Sequence, residues 1–256
     1  MVLTIDVGNT RISMGAFRGD ELVFTSSMSS VRNRTRDQYA IEILEIFSLY
    51  SVNRQDFDGA IISSVVPEMS NTIRDAVEKA INCKPLMLGP GVKTGLNIRV
   101  DEPTQVGVDF VALSVAACKK FKTPCLVVDL KTATKISIID TNNTFIGAII
   151  CPGVEISMKA LADKTSQLPK ISISAPKKVV GKNTIDCMAS GVVYGTSSML
   201  DGLCDRVEKE LGQECTVVAT GSFAQGIIPH CKREMIYCPN LIFEGLKIIY
   251  NKNNQK

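Results

Sequence analysis

Leu3-Thr4-Ile5-Asp6-Val7-Gly8-Asn9-Thr10 can be laid over Leu126-Val127-Val128-Asp129-Leu130-Lys131-Thr132-Ala133 so that strand falls on strand, acid on acid and turn on turn. Each stretch is a short apolar run of strand character that closes on an aspartate and passes into a small polar turn. The segments downstream repeat as well. Arg11–Phe17 and Glu21–Ser26 read as strands after the first acid, and Lys135–Asp140 and Thr144–Ile150 as strands after the second. The turns within these pairs are Arg18-Gly19-Asp20 and Thr141-Asn142-Asn143. A repeat of this kind predicts an α/β protein of two similar lobes, each a mixed sheet with helices, facing a central cleft. The division is expected between residues 1–121 and 122–256.

The rest of each half supplies helices. Asp37–Tyr50 has helical spacing, with Tyr39, Ile41, Ile43, Leu44, Ile46, Phe47 and Leu49 as a broad apolar face; Gly59–Val65 reads as a buried strand. Pro67 is suited to the first turn of a helix reaching Ile81. In the second half come helices over Val154–Leu161 and Thr184–Leu211, a strand over Cys215–Ala219 and a last helix over Pro239–Tyr250. Ser190, Gly191, Gly195, Thr196 and Ser197 leave one stretch of the long helix with little side chain. Either another helix of the same chain packs there or a second copy does, giving a homodimer.

Composition excludes several classes of function. The 256 residues are 45% hydrophobic with a formal charge of +3, so neither a nucleic-acid partner nor a membrane surface is indicated. Lys119, Lys120 and Lys122 read as a solvated helix end. Asp6 interrupts the first apolar run before a signal sequence could form, and no stretch approaches a membrane-spanning length, so a cytoplasmic protein is expected. The nine cysteines form no C-x-x-C pair and read as reduced core residues, with Cys118, Cys125, Cys187 and Cys204 among apolar neighbours. A single histidine, His230, can furnish neither a zinc site nor, in its surroundings, a Ser-His-Asp triad. Acid-base chemistry is left to carboxylates.

Three turns carry such carboxylates. In Asp6-Val7-Gly8-Asn9-Thr10, Gly8 can adopt positive φ and expose its N–H to a phosphate, Asn9 and Thr10 add donors, and Asp6 can hold Mg²⁺ through water. A plain hairpin turn with Asp6 as acceptor is the bland alternative. Asp129-Leu130-Lys131-Thr132-Ala133-Thr134 is its counterpart, and two strand-end carboxylates on related turns can converge on one metal–triphosphate. Gly107-Val108-Asp109-Phe110 opens an apolar helix, where Asp109 could take a proton from an attacking hydroxyl or simply favour the helix dipole.

These turns, in order, resemble the type III pantothenate kinases, members of the actin-like, ribonuclease-H-like ATPase superfamily. The resemblance includes Lys93-Thr94-Gly95-Leu96-Asn97-Ile98-Arg99, Cys151-Pro152-Gly153-Val154, Gly181-Lys182-Asn183-Thr184, Gly191-Val192-Val193-Tyr194-Gly195 and Ala219-Thr220-Gly221. It implies transfer of the γ-phosphoryl group of ATP to pantothenate, the first step towards coenzyme A, with ATP and Mg²⁺ as cofactors and a dimeric habit. Asp109 then corresponds to the general base. Asp6, Val7, Gly8, Asn9, Thr10 and Arg11 correspond to the first nucleotide turn, with Asp6 at the metal, and Thr132 to a second nucleotide contact. Asp129 corresponds to the ligand of a monovalent cation, K⁺ or NH₄⁺, and Val100, Gly107, Val108, Phe110 and Thr184 to the pantothenate side.

Several positions depart from the family's pattern. Phe110 stands where arginine is usual, Val100 where tyrosine is common, Lys131 for a glycine, Lys135 for a threonine, Ser137 for an aspartate and Ser222 for a glycine. Phe110 cannot make the charge-assisted hydrogen bond that arginine offers a carboxylate substrate, a contact worth about 1.5–3 kcal/mol. The ammonium of Lys131 could meet the phosphates or stand in for the monovalent cation. Val100, Phe110 and Lys131 also support a second reading, a degenerate paralogue that keeps the fold and acts as a regulatory or interaction protein.

Overall fold

The computed structural model describes residues 1–254 and divides into two compact units. The first is Met1–Leu96, Asp101–Lys119 and the stretch from Asn240 onward; the second is Asn97–Val100 and Lys120–Pro239. In chain order the elements are β1 (Val2–Val7), β2 (Arg11–Arg18), β3 (Glu21–Ser29), α1 (Arg36–Leu49), β4 (Gly59–Ser64), α2 (Pro67–Ile81), β5 (Leu86–Met87), β6 (Asn97–Ile98) and α3 (Val108–Lys120). They continue as β7 (Cys125–Leu130), β8 (Ala133–Ile139), β9 (Thr144–Pro152), α4 (Val154–Lys164), α5 (Thr184–Leu211), β10 (Thr216–Thr220), α6 (Ala224–Ile227), β11 (Ile236–Tyr237) and α7 (Leu241–Asn254).

The repeat read from the two aspartate stretches is a repeat of topology. The first sheet runs β3-β2-β1-β4-β5 and the second β11-β10-β7-β8-β9-β6. In each, the strand carrying the acid pairs antiparallel with the next strand (β1 with β2, β7 with β8) and parallel with a later one (β1 with β4, β7 with β10). Both acid strands are central and buried on both faces, as their unbroken apolar character requires. Thr4 keeps its place in the middle of β1 because its hydroxyl donates to the Gly15 carbonyl at 2.9 Å.

The first unit closes over its sheet with α7. This helix packs on β1, β2 and β4, burying Leu241, Ile242, Phe243, Leu246 and Ile249. Glycines make the approach possible: a Cβ at Gly15 would lie 2.9 Å from the Phe243 ring, and one at Gly59 2.1 Å from the Tyr250 hydroxyl. The chain passes from the first unit to the second at Lys119/Lys120, and residues from Asn240 on belong with the first unit. The apolar face of α7 is matched to β1, β2 and β4, a pairing that sequence order does not reveal.

Helix α1 starts at Thr35, whose hydroxyl accepts from the Gln38 N–H while the Gln38 side chain accepts from the Thr35 N–H. Its buried residues are Tyr39, Ala40, Ile43 and Phe47; Ile41, Leu44 and Leu49 face solvent, so the apolar face is narrower than the sequence suggests. All nine cysteines are free, and Cys125 and Cys204 are buried as expected. Cys118 is half-buried and Cys187 exposed, the latter because it lies on the outward side of the first turn of α5. Burial pushes the Cys204 thiol up to about 12. No helix among the described residues is long and apolar enough to cross a membrane.

In the second unit Arg233 ties the loop before β11 to α5. Its guanidinium donates to Asp205 at 2.6 Å and to both carboxylate oxygens of Glu208, at 3.1 and 2.8 Å. The hydrogen bonds from Arg233 hold the Glu208 carboxyl below its ordinary value of 4.5. A depressed carboxyl contributes stability above its unfolded pKa and loses it as pH falls through the folded one. Arg233→Ala should therefore cost about 1–2 kcal/mol in urea melts at neutral pH. The gap from the parent should shrink once pH drops below the ordinary Glu208 value of 4.5. A pH-independent gap would mean that the loss is one of packing.

Candidate active site

Parallel pairing of β1 with β4 sets Asp6 opposite Ser63, and the Ser63 hydroxyl donates to Asp6 Oδ1 at 3.2 Å. Asp6 is only 5% exposed, at the end of its strand and at the root of the turn. The Gly8 N–H donates to the Arg11 carbonyl at 2.9 Å, and the Ser30 hydroxyl donates to the Gly8 carbonyl at 2.6 Å, so the turn is fixed from within and from β3's end. Gly8 does not take the positive φ allowed for it, and a Cβ there would lie a tight 3.2 Å from the Arg11 carbonyl. Asn9, Thr10 and Arg11 stand exposed on the turn, while Val7 is buried and its carbonyl accepts from the Val65 N–H. Of these groups, Ser30 and Ser63 had no signal in the sequence beyond hydroxyl-rich strand ends.

Asp109 lies in the first turn of α3 and is 6% exposed. One carboxylate oxygen accepts from the Phe110 N–H at 2.9 Å. A Cβ on Gly107 would come within 2.6 Å of that same oxygen, so glycine at 107 makes room for the carboxylate. Val108 is half-buried and Phe110 buried, and Phe110 presents no side-chain donor to a carboxylate substrate. The helix start places the negative group where the N-terminal dipole favours it.

In the second unit the β7–β8 hairpin carries Asp129, Lys131, Thr132 and Lys135. Asp129 is 1% exposed, with Lys135 Nζ at 3.5 Å and Lys131 Nζ at 3.9 Å from its Oδ2. The hairpin is held by close backbone contacts. A Cβ on Gly153 would meet the Thr132 carbonyl at 2.2 Å, and one on Gly221, at φ +98, the Leu130 carbonyl at 2.5 Å. Ser137 is buried two residues beyond Lys135, and Ser222 is exposed. Val100 is half-buried after β6, whose neighbour Arg99 bonds the Phe145 carbonyl through its N–H. Thr184 is exposed at the start of α5, where Asn183 accepts from the Asp186 N–H at 2.9 Å.

Asp6 with residues 8–11, Gly107 with Asp109, and Asp129 with Thr132 and two lysines are thus three separate local constellations, the first two in one unit and the third in the other. Among the described residues no three acidic, thiol or imidazole side chains gather as a metal cage. A lone carboxylate beside exposed hydroxyl and amide oxygens is a hard-donor set that suits Mg²⁺ shared with substrate phosphates.

Two sheets of one topology, each carrying an aspartate near the end of its central strand at a polar turn, define the actin-like fold. Component A of (R)-2-hydroxyglutaryl-CoA dehydratase from Acidaminococcus fermentans shares it, with a TM-score of 0.60 at 17% identity over 99% of both chains. A Campylobacter jejuni structure named for the Baf family of transcriptional activators has a TM-score of 0.61 at 20% identity over 98% of both chains. These likenesses concern fold alone. The model of the type III pantothenate kinase family matches residues 2–206. The type III pantothenate kinase of Halalkalibacterium halodurans is 40% identical over 253 residues, 99% of this chain and 100% of that one. That of Exiguobacterium sp. is 39% identical over 255 residues, 100% of each. The chain belongs to the type III pantothenate kinase family, and is a phosphotransferase that uses ATP in coenzyme A biosynthesis.

Proposed function

We propose that the protein moves the γ-phosphoryl group of ATP to the primary hydroxyl of pantothenate, giving 4′-phosphopantothenate, with Asp109 as general base. The observation that carries this reading, beside the family match over residues 2–206, is the pocketing of Asp109 by the missing side chain of Gly107. Asp109 orients the hydroxyl for in-line attack and accepts its proton as the bond to phosphorus forms. Asp6, with Gly8, Asn9, Thr10 and Arg11, holds the phosphates and Mg²⁺, which when bound neutralises phosphate charge. Thr132 is the second nucleotide contact. Val100, Val108, Phe110 and Thr184 are the residues assigned to pantothenate in this reading. Phe110 supplies no charge there, so recognition of the pantothenate carboxylate falls to other groups.

The test is purified protein with ATP, Mg²⁺ and pantothenate, and detection of 4′-phosphopantothenate. No product at high protein concentration overturns the reading and leaves the regulatory paralogue. Free thiols throughout suit a reducing, cytoplasmic setting.

The active form is a homodimer built on α5. Gly191 and Gly195 are exposed and a Cβ at either would meet nothing within 4 Å, whereas Ser190 and Ser197 of the same stretch are buried within the chain. Val179, Val180 and Ile185 are exposed in the same unit, at 63%, 76% and 57%. Light scattering at micromolar concentration should give twice the chain mass. Gly195→Glu should shift it to the monomer, and a monomeric parent would refute the assignment.

A further inference from the structure

We infer that Asp129 is neutralised from within the chain by Lys135 and Lys131, so that the kinase needs no monovalent cation at this carboxylate. Only the activity readout rests on the proposed phosphoryl transfer. The placement follows from strand geometry. Antiparallel pairing of β7 with β8 sets Asp129 directly opposite Lys135, and directly opposed residues share one face of a sheet. Lys131 follows Asp129 by two residues and returns to the same carboxylate oxygen as the chain turns.

The result is one buried carboxylate oxygen with ammonium groups at 3.5 and 3.9 Å. Lys135 is the nearer and the less exposed of the two, 15% against 30% for Lys131, so it carries the larger share. Lys135 thus joins Lys131, the one residue the sequence reading named for this part. A tethered ammonium is present at any salt concentration and has no freedom to diffuse away. A K⁺ ion in contact with the same oxygen would have to shed water beside two like charges. Ser137, next on the same face, offers a hydroxyl where the family's pattern has a second carboxylate. The residues present do not fit a bound monovalent cation.

The test compares KCl with choline chloride at equal ionic strength. The parent's rate of phosphopantothenate formation should agree within about twofold, while Lys131→Gly/Lys135→Thr should gain about tenfold or more from KCl. A second arm needs no turnover: thallous ion, a K⁺ mimic with its own NMR signal, should bind the double variant and not the parent. The parent's thermal midpoint should likewise be indifferent to the choice of salt. A parent that is stimulated tenfold by K⁺, or that binds thallous ion, overturns the inference. If the parent makes no product in either salt, the kinase reading fails while the thallous and thermal arms still decide this one. If the double variant does not fold, the parent measurements alone decide it.

Discussion

Asp109→Asn is expected to lower turnover by about 10²–10⁴-fold while ATP binding survives. The exchange keeps the size of the side chain and an oxygen able to accept from the Phe110 N–H, a contact that orients the carboxylate at 2.9 Å. What it removes is the basic oxygen. The Gly107 cavity should accept the amide, because the close approach of 2.6 Å is to a position that an amide oxygen can fill. Fold and nucleotide affinity should then be unchanged, and the loss should appear in kcat. Single-turnover rates and ATP binding by calorimetry separate the two effects. Parent-like turnover would reduce Asp109 to a helix-start acid, and loss of ATP binding or of folding would make its role structural.

The parts of this molecule that the sequence revealed are those governed by local rules. Strand runs ending in Asp6 and Asp129, the helix opened by Pro67 and the long helix from Thr184 to Leu211 all follow from periodicity, capping and turn chemistry. The repeat was legible because both halves place their acid at the same point of the same strand order. Contacts set by register were not. Ser63 reaches Asp6 because two strands far apart in sequence run parallel with those residues paired, and Lys135 reaches Asp129 through the β7–β8 ladder. The return of α7 to the first unit was hidden for the same reason, since apolar spacing says that a face is buried but not against what. Gly8 sits at the turn as read, but without the left-handed backbone that its lack of a side chain would permit.

Gly245→Ala should destabilise the protein by about 2–4 kcal/mol, even after the roughly 1 kcal/mol gain in helix propensity is set against it. A Cβ at 245 would stand 1.9 Å from the carbonyl oxygen of Ala112 and 2.7 Å from its carbon. These are backbone atoms of a fully buried residue in α3, so no side chain can rotate out of the way and the helices must separate. The separation acts on α3 one turn beyond Asp109, so it should reach the carboxylate as well as the core. Two readouts are expected to move together: a lower urea midpoint with unchanged slope, and a fall in kcat at temperatures where the variant is still folded. A midpoint equal to the parent's would mean that α3 and α7 do not meet at this point. A lower midpoint with parent-like kcat would mean that the strain relaxes into α7 and leaves the first turn of α3, and with it Asp109, in place.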